Sequence, residues 1–272
     1  MGRVQRGLLA MLLVFVLAPA ANGATPPARS VSLKVIFPEG FSSRQMVDRV
    51  AQVRSIAIRK RHVTPVLTGA SYAAALSSAQ PPLAFRASMP TRKLEGFLFP
   101  SAYKFGPSTT ASQLIALQLQ AFAASWKQVD LSEVATKGLD PYQALTVASM
   151  VEREAALPAE RPLIAAVIYN RLAQSMPLGI DATLRYGLGI QGTRPLTQAE
   201  LLNPTPYNTR LHTGLPPTPI SNPGLASMQA AAHPAAVDYL YYVRIPNATS
   251  HFFTSDYAAF CAKKAQWGYG SC

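Results

Sequence analysis

The chain has 272 residues, a formal net charge of +12 and a pI near 10.0. Hydrophobic residues make up 49% and charged residues only 14%, which excludes a disordered chain and allows one large domain or two modest ones. With 13 acids against 25 Lys and Arg, chemistry that needs a carboxylate has few candidates, and two Cys exclude a disulfide-dense scaffold.

Arg3 and Arg6 precede an apolar run from Leu8 to Ala18, followed by Pro19 and the small residues up to Ala24. Residues 1–24 therefore read as a signal peptide or as an N-terminal membrane anchor. The run is short for a span, which needs roughly 20 apolar residues, but counting from Gly7 to Ala24 makes a retained anchor feasible. Both readings stay open, and both put the rest of the chain outside the cytoplasmic membrane, because the positive residues come first. Export disfavours nucleic acid as the partner of the positive charge and leaves anionic lipid or an acidic wall polymer.

Thr25 to Arg29 reads as a linker. Val31, Leu33, Val35 and Phe37 alternate as one face of a strand, Pro38-Glu39-Gly40 turns the chain, and Ser42 with Gln45 opens a helix striped by Met46, Val47, Val50 and Val53. Residues 59 to 92 are ambiguous, broken by four prolines, and carry the basic cluster Arg59-Lys60-Arg61. Ile115, Leu119, Phe122 and Trp126 then mark a core-facing helix, so Trp126 is expected in the core. Asp140-Pro141 with Gln143 caps a helix that runs to Glu154. Another begins near Arg161-Pro162. The segments from Met176 to Gly187 and from Pro206 to Pro217 read as polar, proline-stiffened loops. Thr197 with Glu200 is a further capping box, and Ser221-Asn222-Pro223 opens a helix to about Ala232. Asp238–Arg244 and Ser250–Thr254 read as a hairpin. The expected class is α+β, with residues 25–92 as linker and small strand–helix module and 93–272 as a larger mixed domain.

The four His (His62, His212, His233 and His251) lack metal-ligand spacing, and Cys261 and Cys272 form no CxxC. No phosphate-cradling glycine motif is present. Neither a metal nor a cofactor is expected. Leu145, Ala148 and Glu152 share one helix face, so Glu152 points with the apolar residues. Desolvation there raises a carboxyl pKa, as a general acid near neutral pH requires. A buried ion pair with an arginine explains the same position equally. Glu154 falls about 200° further round the helix and is expected to face elsewhere. The two polar loops offer Asp181, Tyr186, Tyr207, Asn208 and His212, residue types that suit sugar hydroxyls and faces but also suit turns.

At these residues the chain resembles the MltG-type (YceG-like) endolytic murein transglycosylases. The matching motifs include Leu94-Glu-Gly-Phe-Leu-Phe-Pro100, Ala148-Ser-Met-Val-Glu-Arg-Glu154, Glu160-Arg-Pro162, Tyr169-Asn-Arg-Leu172, Met176-Pro-Leu178, Asp181 with Tyr186-Gly187, Tyr207-Asn-Thr209, Gly214-Leu-Pro-Pro217, Ile220-Ser-Asn-Pro-Gly224 and Ala231-Ala-His-Pro234. They run in consistent order across about residues 30 to 260.

The resemblance implies cleavage between N-acetylmuramic acid and N-acetylglucosamine within peptidoglycan glycan strands, leaving 1,6-anhydro ends and limiting strand elongation. It implies one glutamate acting first as acid and then as base, and by motif position that residue is Glu152. Asp181, Tyr186, Tyr207, Asn208, His212 and Asn222 are the substrate-binding residues it implies, gathered in one cleft with Glu152. It further implies that the small module is LysM-like. An inner-membrane anchor would hold the catalytic domain in the periplasm, with a secreted periplasmic form if residues 1–24 are cleaved. Cell-wall synthases are candidate partners. The alternatives are a non-catalytic peptidoglycan-binding scaffold and a hydrolytic muramidase on the same fold. Ser101, Ala102, Ala155, Gly179, Ile180 and Ala182 depart from the family's usual residues.

Overall fold

Within the described residues of the computed structural model (1–2, 31–270 and 272), the chain starts on the expected alternation. The segment expected as signal or anchor lies outside them except for Met1 and Gly2, as does the linker at 25–29. Strand β1 (Leu33–Ile36) buries Leu33 and Val35, and Phe37 follows them inward, whereas Val31 stays exposed. Helix α1 (Ser43–Arg61) begins at the expected box, with Ser42 N donating to Gln45 Oε1 at 2.8 Å. It ends at His62 in a left-handed conformation, just past the exposed Arg59-Lys60-Arg61.

The ambiguous stretch contains α2 (Gly69–Ser78), started by a reciprocal Thr68–Ser71 cap, and a 3-10 turn at Leu83–Phe85. Strand β2 (Ala102–Phe105) pairs antiparallel with β1, Leu33 opposite Phe105. A lone strand cannot satisfy its edge, and the partner comes from beyond residue 92. The small module is thus β1–α1–α2–β2, and its second strand lies inside the stretch assigned to the larger domain. Its core, around Phe37, Met46, Val50 and Tyr72, continues into Leu114 and Ile115 of α3 (Ala111–Trp126). Val31–Cys272 accordingly form one compact unit.

After the short α4 (Ser132–Thr136) comes α5 (Pro141–Glu154), capped by Asp140 and buried along Tyr142–Val151 except at Gln143. A helix apolar on nearly all sides belongs in the centre. It packs against α6 (Arg161–Ala173), which follows a 3-10 turn at Pro158–Glu160, and later against α9. Trp126 stacks on Phe122 and meets Phe85 edge-on, in the core as expected.

One expectation fails at residues 176–187. Instead of a loop throughout, the chain forms α7 (Asp181–Leu188), which Ile180 starts without any side-chain cap and Gly189 ends at φ 69°. Neither a capping residue nor a long apolar stripe announces this helix. α8 (Gln198–Leu201) carries the expected Thr197–Glu200 box. α9 (Leu225–Ala232) starts two residues after Pro223, with Gly224 as its N-cap. Strands β3 (Tyr241–Arg244) and β4 (His251–Thr254) form the expected hairpin, Tyr242 opposite Phe253. α10 (Tyr257–Gln266) closes the chain, and its Cys261 is bonded to Cys272, a pairing not foreseen from two isolated cysteines.

Candidate active site

Four carboxylates leave bulk water around the C-terminal half of α5, and their partners separate their roles. Glu95 is 3% exposed. Its two oxygens accept from Ser43 N (3.0 and 3.1 Å), Ser43 Oγ (2.8 Å), Asn222 Nδ2 (2.8 Å) and Tyr186 Oη (3.1 Å). Burial outweighs these donors and raises its pKa to about 7. Glu95 thereby ties the start of α1 to α7 and to the segment before α9. Asn222 completes the knot: its Oδ1 accepts from Gly96 N and Leu98 N, and its amide also donates to the Phe41 carbonyl.

Glu160 is 6% exposed and fully engaged. It accepts from His251 N at 2.7 Å and pairs with His251 Nδ1 at 2.7 Å, which fixes the hairpin to the start of α6. Glu152 points inward from α5, as its spacing predicts. Its Oε2 accepts from Gly224 N at 3.0 Å, and the Ser227 hydroxyl also bonds to it. Burial is the largest influence on it and raises its pKa; Glu39 adds repulsion, while Ser227, Gly224 and Arg161 pull the other way. A carboxylate at the N-cap of α9 meets unpaired N–H groups and the positive end of the helix dipole. Glu152 thus has a structural office: it docks α9 on α5.

Glu154 faces the other way, towards α7 and the hairpin. Its Oε2 accepts from Tyr242 Oη at 3.0 Å, while among the described residues Oε1 has no protein hydrogen-bond donor. Burial raises its pKa, Tyr242 lowers it, and the nearby Asp181 charge raises it further. Beneath it, Arg171 donates to the carbonyls of Leu240 (2.6 Å), Pro177 (3.1 Å) and Leu178 (2.9 Å), so α6 fixes both the hairpin and the approach to α7. Glu154 lies off the apolar stripe of α5, and its hydrogen-bond partner, Tyr242, comes from almost ninety residues on, so helical periodicity does not single it out.

The residues expected in a single cleft with Glu152 divide into separate groups. Asp181, at the first turn of α7, lies near Glu154 and is held by Arg210 at 3.0 and 2.5 Å. Tyr186 bonds to Glu95 and meets Tyr207 edge-on at 5.1 Å, and Tyr207 Oη bonds to Thr218 at 2.8 Å. Asn208 is fully buried, donating to the carbonyls of Leu201 and Asn203 and accepting from Arg210 N; it organises its own loop and reaches no cleft. His212 is exposed, with one ring nitrogen 3.4 Å from the Pro204 carbonyl. Asn222 is a buried tie rather than an accessible ligand group. The expectation of one cleft around Glu152 is therefore corrected: turn chemistry and burial explain Asn208 and Asn222, and α5 separates Glu152 from Glu154.

A cleft of about 780 Å³ lies between the start of α1 and α7. Glu95, Tyr186 and Tyr207 line it, together with Ala182, which follows Asp181, with Arg153, which lies between Glu152 and Glu154 in the chain, and with Gly40, which lies against Glu152 and Arg153. The fold and this arrangement define a small β–α module built into an α-helical domain, with a buried glutamate, Glu95, in the wall of a groove between them.

The YceG-like family profile matches residues 18–266, and the chain belongs to that family. An endolytic murein transglycosylase of Bacillus subtilis (strain 168) is 40% identical over 155 residues, covering 57% of this chain and 42% of that protein. One from Streptococcus pneumoniae (strain R6) is 31% identical over 237 residues, covering 82% of this chain and 42% of that protein. The chain thus aligns with less than half the length of these relatives. A yceG-like protein from Listeria monocytogenes, solved at 2.6 Å, superposes with a TM-score of 0.69 at 29% identity, covering 84% of this chain and 74% of that one.

Proposed function

We propose that the protein is an endolytic lytic transglycosylase that cleaves the MurNAc–GlcNAc bond within peptidoglycan strands, leaves 1,6-anhydroMurNAc ends and so limits strand elongation. Family membership supports the murein substrate. One observation carries the choice of acid: Glu152 and Glu154 both combine a raised pKa with an Oε1 that meets no protein donor among the described residues, but Glu154 is held by a side-chain hydroxyl beside Asp181, whereas Glu152 is held by the backbone N–H at the N-cap of α9. Glu95 and Glu160 are saturated, and Glu152 is committed to α9.

In this reading protonated Glu154 gives its proton to the glycosidic oxygen as the C1–O bond breaks. The muramyl C6 oxygen then closes on C1, and its proton returns to the Glu154 carboxylate. One bond breaks, one forms, no water is consumed, and a second acid is not required. Tyr242 holds Oε2 and leaves Oε1 for the proton. An intramolecular hydroxyl is a nucleophile of high effective concentration. Glu152, also desolvated, is the alternative acid, and exchange of each residue for Gln with a digestion assay separates the two.

A second reading, hydrolysis, rests on Asp181, whose charge acts on Glu154 and which a muramidase could use towards water. The Arg210 pairing disfavours it by occupying that carboxylate. The β1–α1–α2–β2 unit is proposed as the LysM-like glycan-binding module. The domain is proposed to work on the outer side of the inner membrane, tethered through residues 1–24 or released from them, with cell-wall synthases as partners. The Cys261–Cys272 bond fits an oxidising compartment.

A further inference from the structure

Resting on the murein reading above, we propose that the cleft between α1 and α7 is a carboxylate-recognition subsite that grips the peptide stems of the glycan strand. Arg44, Arg92, Lys93, Arg153 and Arg185 line it, and Glu95 is the one acid among its lining residues. Glu95 turns both its oxygens to the neutral donors Ser43, Tyr186 and Asn222 and forms no ion pair with these cations. Among the described residues, none of the five cations forms an ion pair within 4.0 Å.

The bonds these cations do make are to neutral groups and aim them without neutralising them. Arg153 donates to the Gly40 carbonyl at 3.2 Å, Arg185 to the Gly192 and Arg194 carbonyls, and Arg92 to the Gln80 side chain. Arg44 reaches from α1 to lie against the backbone of Gly189, the C-cap of α7, where a Cβ would collide with its guanidinium. Like charges gathered in a concave wall repel one another and focus a positive potential, and an incoming anion relieves both. Guanidinium groups favour planar, bidentate partners such as carboxylates. The amino-sugar backbone of murein presents hydroxyls and amides, whereas its peptide stems carry carboxylates. A groove that needed to hold sugar alone would have no use for five cations without a paired carboxylate.

The test uses the full chain and fluorescently tagged soluble glycan strands of two kinds: with intact peptide stems, and with stems removed by an amidase and the lactyl carboxylates so exposed capped as neutral methylamides. Binding is read by fluorescence anisotropy at low and high salt. The wild-type protein should bind stem-bearing strands at least about tenfold more tightly, and high salt should erase the difference. The combined variant Arg44→Gln, Arg92→Gln, Lys93→Gln should lose most of that preference; removing three exposed charge contacts is worth roughly tenfold. Its thermal melting checks that it is folded, and the combined variant Lys34→Gln, Lys104→Gln, Lys127→Gln, at exposed positions outside the cleft, controls for loss of the same net charge. Equal wild-type affinity for the two strand types, or a preference that survives in the folded triple variant, overturns the proposal. Stronger competition by poly(glycerol phosphate) than by stem-bearing strands also overturns it, in favour of a phosphate polymer. Binding is measured without turnover, so an inert protein that still prefers stemmed strands would overturn the transglycosylase reading and leave this one standing.

Discussion

Two glutamates two positions apart meet different chemistry because a helix turns them to opposite sides of α5. Glu152 receives Gly224 N and docks α9; Glu154 receives the Tyr242 hydroxyl; each keeps its Oε1 free of protein donors among the described residues. Glu154→Gln should lower cleavage by at least about 100-fold, because an amide neither gives nor takes the proton. Glu152→Gln still accepts from Gly224 N, so it should keep turnover within about tenfold and cost about 1 kcal/mol of stability. Digestion of sacculi with both variants, alongside urea unfolding, distinguishes them, and the reverse ranking would return the acid's role to Glu152. Because Glu154 must be protonated to act and its pKa is raised, activity should survive towards neutral pH and fall on the alkaline side.

Glu95 makes a separate prediction about stability. Its folded pKa, about 7, lies above the ordinary 4.5, so the native state holds the proton that the unfolded chain releases. Stability should therefore fall as pH rises from about 4.5 to about 7 and level off beyond, by up to about 3 kcal/mol from this group. Urea unfolding at pH 5 and pH 7.5 reads the slope. Glu95→Gln should flatten it, and an unchanged slope would contradict the assignment.

At the scale of elements, local chemistry was legible wherever a cap or a stripe announced it. Ser42, Asp140 and Thr197 all sit at their expected helix starts, and the β3–β4 hairpin follows its alternation. What could not be read was the long-range partner. Strand β2 pairs with β1 across some seventy residues, and α7 forms without a cap because α5 and the loop at Thr209 hold it, with Ile180 N donating to Thr209 Oγ1 at 3.0 Å. Asn222 shows what such tertiary ties contribute. Asn222→Ala would strand Gly96 N and Leu98 N and remove donors from Glu95 and the Phe41 carbonyl. A loss of about 2–4 kcal/mol is expected from urea unfolding. Gly96 sits inside the same knot at φ 92°, where a Cβ would come within 2.8 Å of Pro219. Gly96→Ala should be destabilising for that reason as well as for its left-handed backbone.

For the molecule as a whole, ordered short motifs spread over most of the chain pointed to the family, and the family match over residues 18–266 rests on that breadth. The site was legible less well. Helical periodicity picks out side chains that face the core, and a carboxylate such as Glu154, whose partners come from elsewhere in the chain, is not marked by it. The polar loops likewise mixed groove residues, such as Tyr186 and Tyr207, with buried organisers, such as Asn208.

The central claim is that the bond is cleaved without water. Purified sacculi digested by the protein in heavy-oxygen water, with the products weighed by mass spectrometry, test it directly. The account predicts muramyl ends that are one water lighter than reducing ends and carry no label. Heavy oxygen incorporated at the new muramyl end would mean hydrolysis, with Asp181 rather than the C6 hydroxyl completing the reaction.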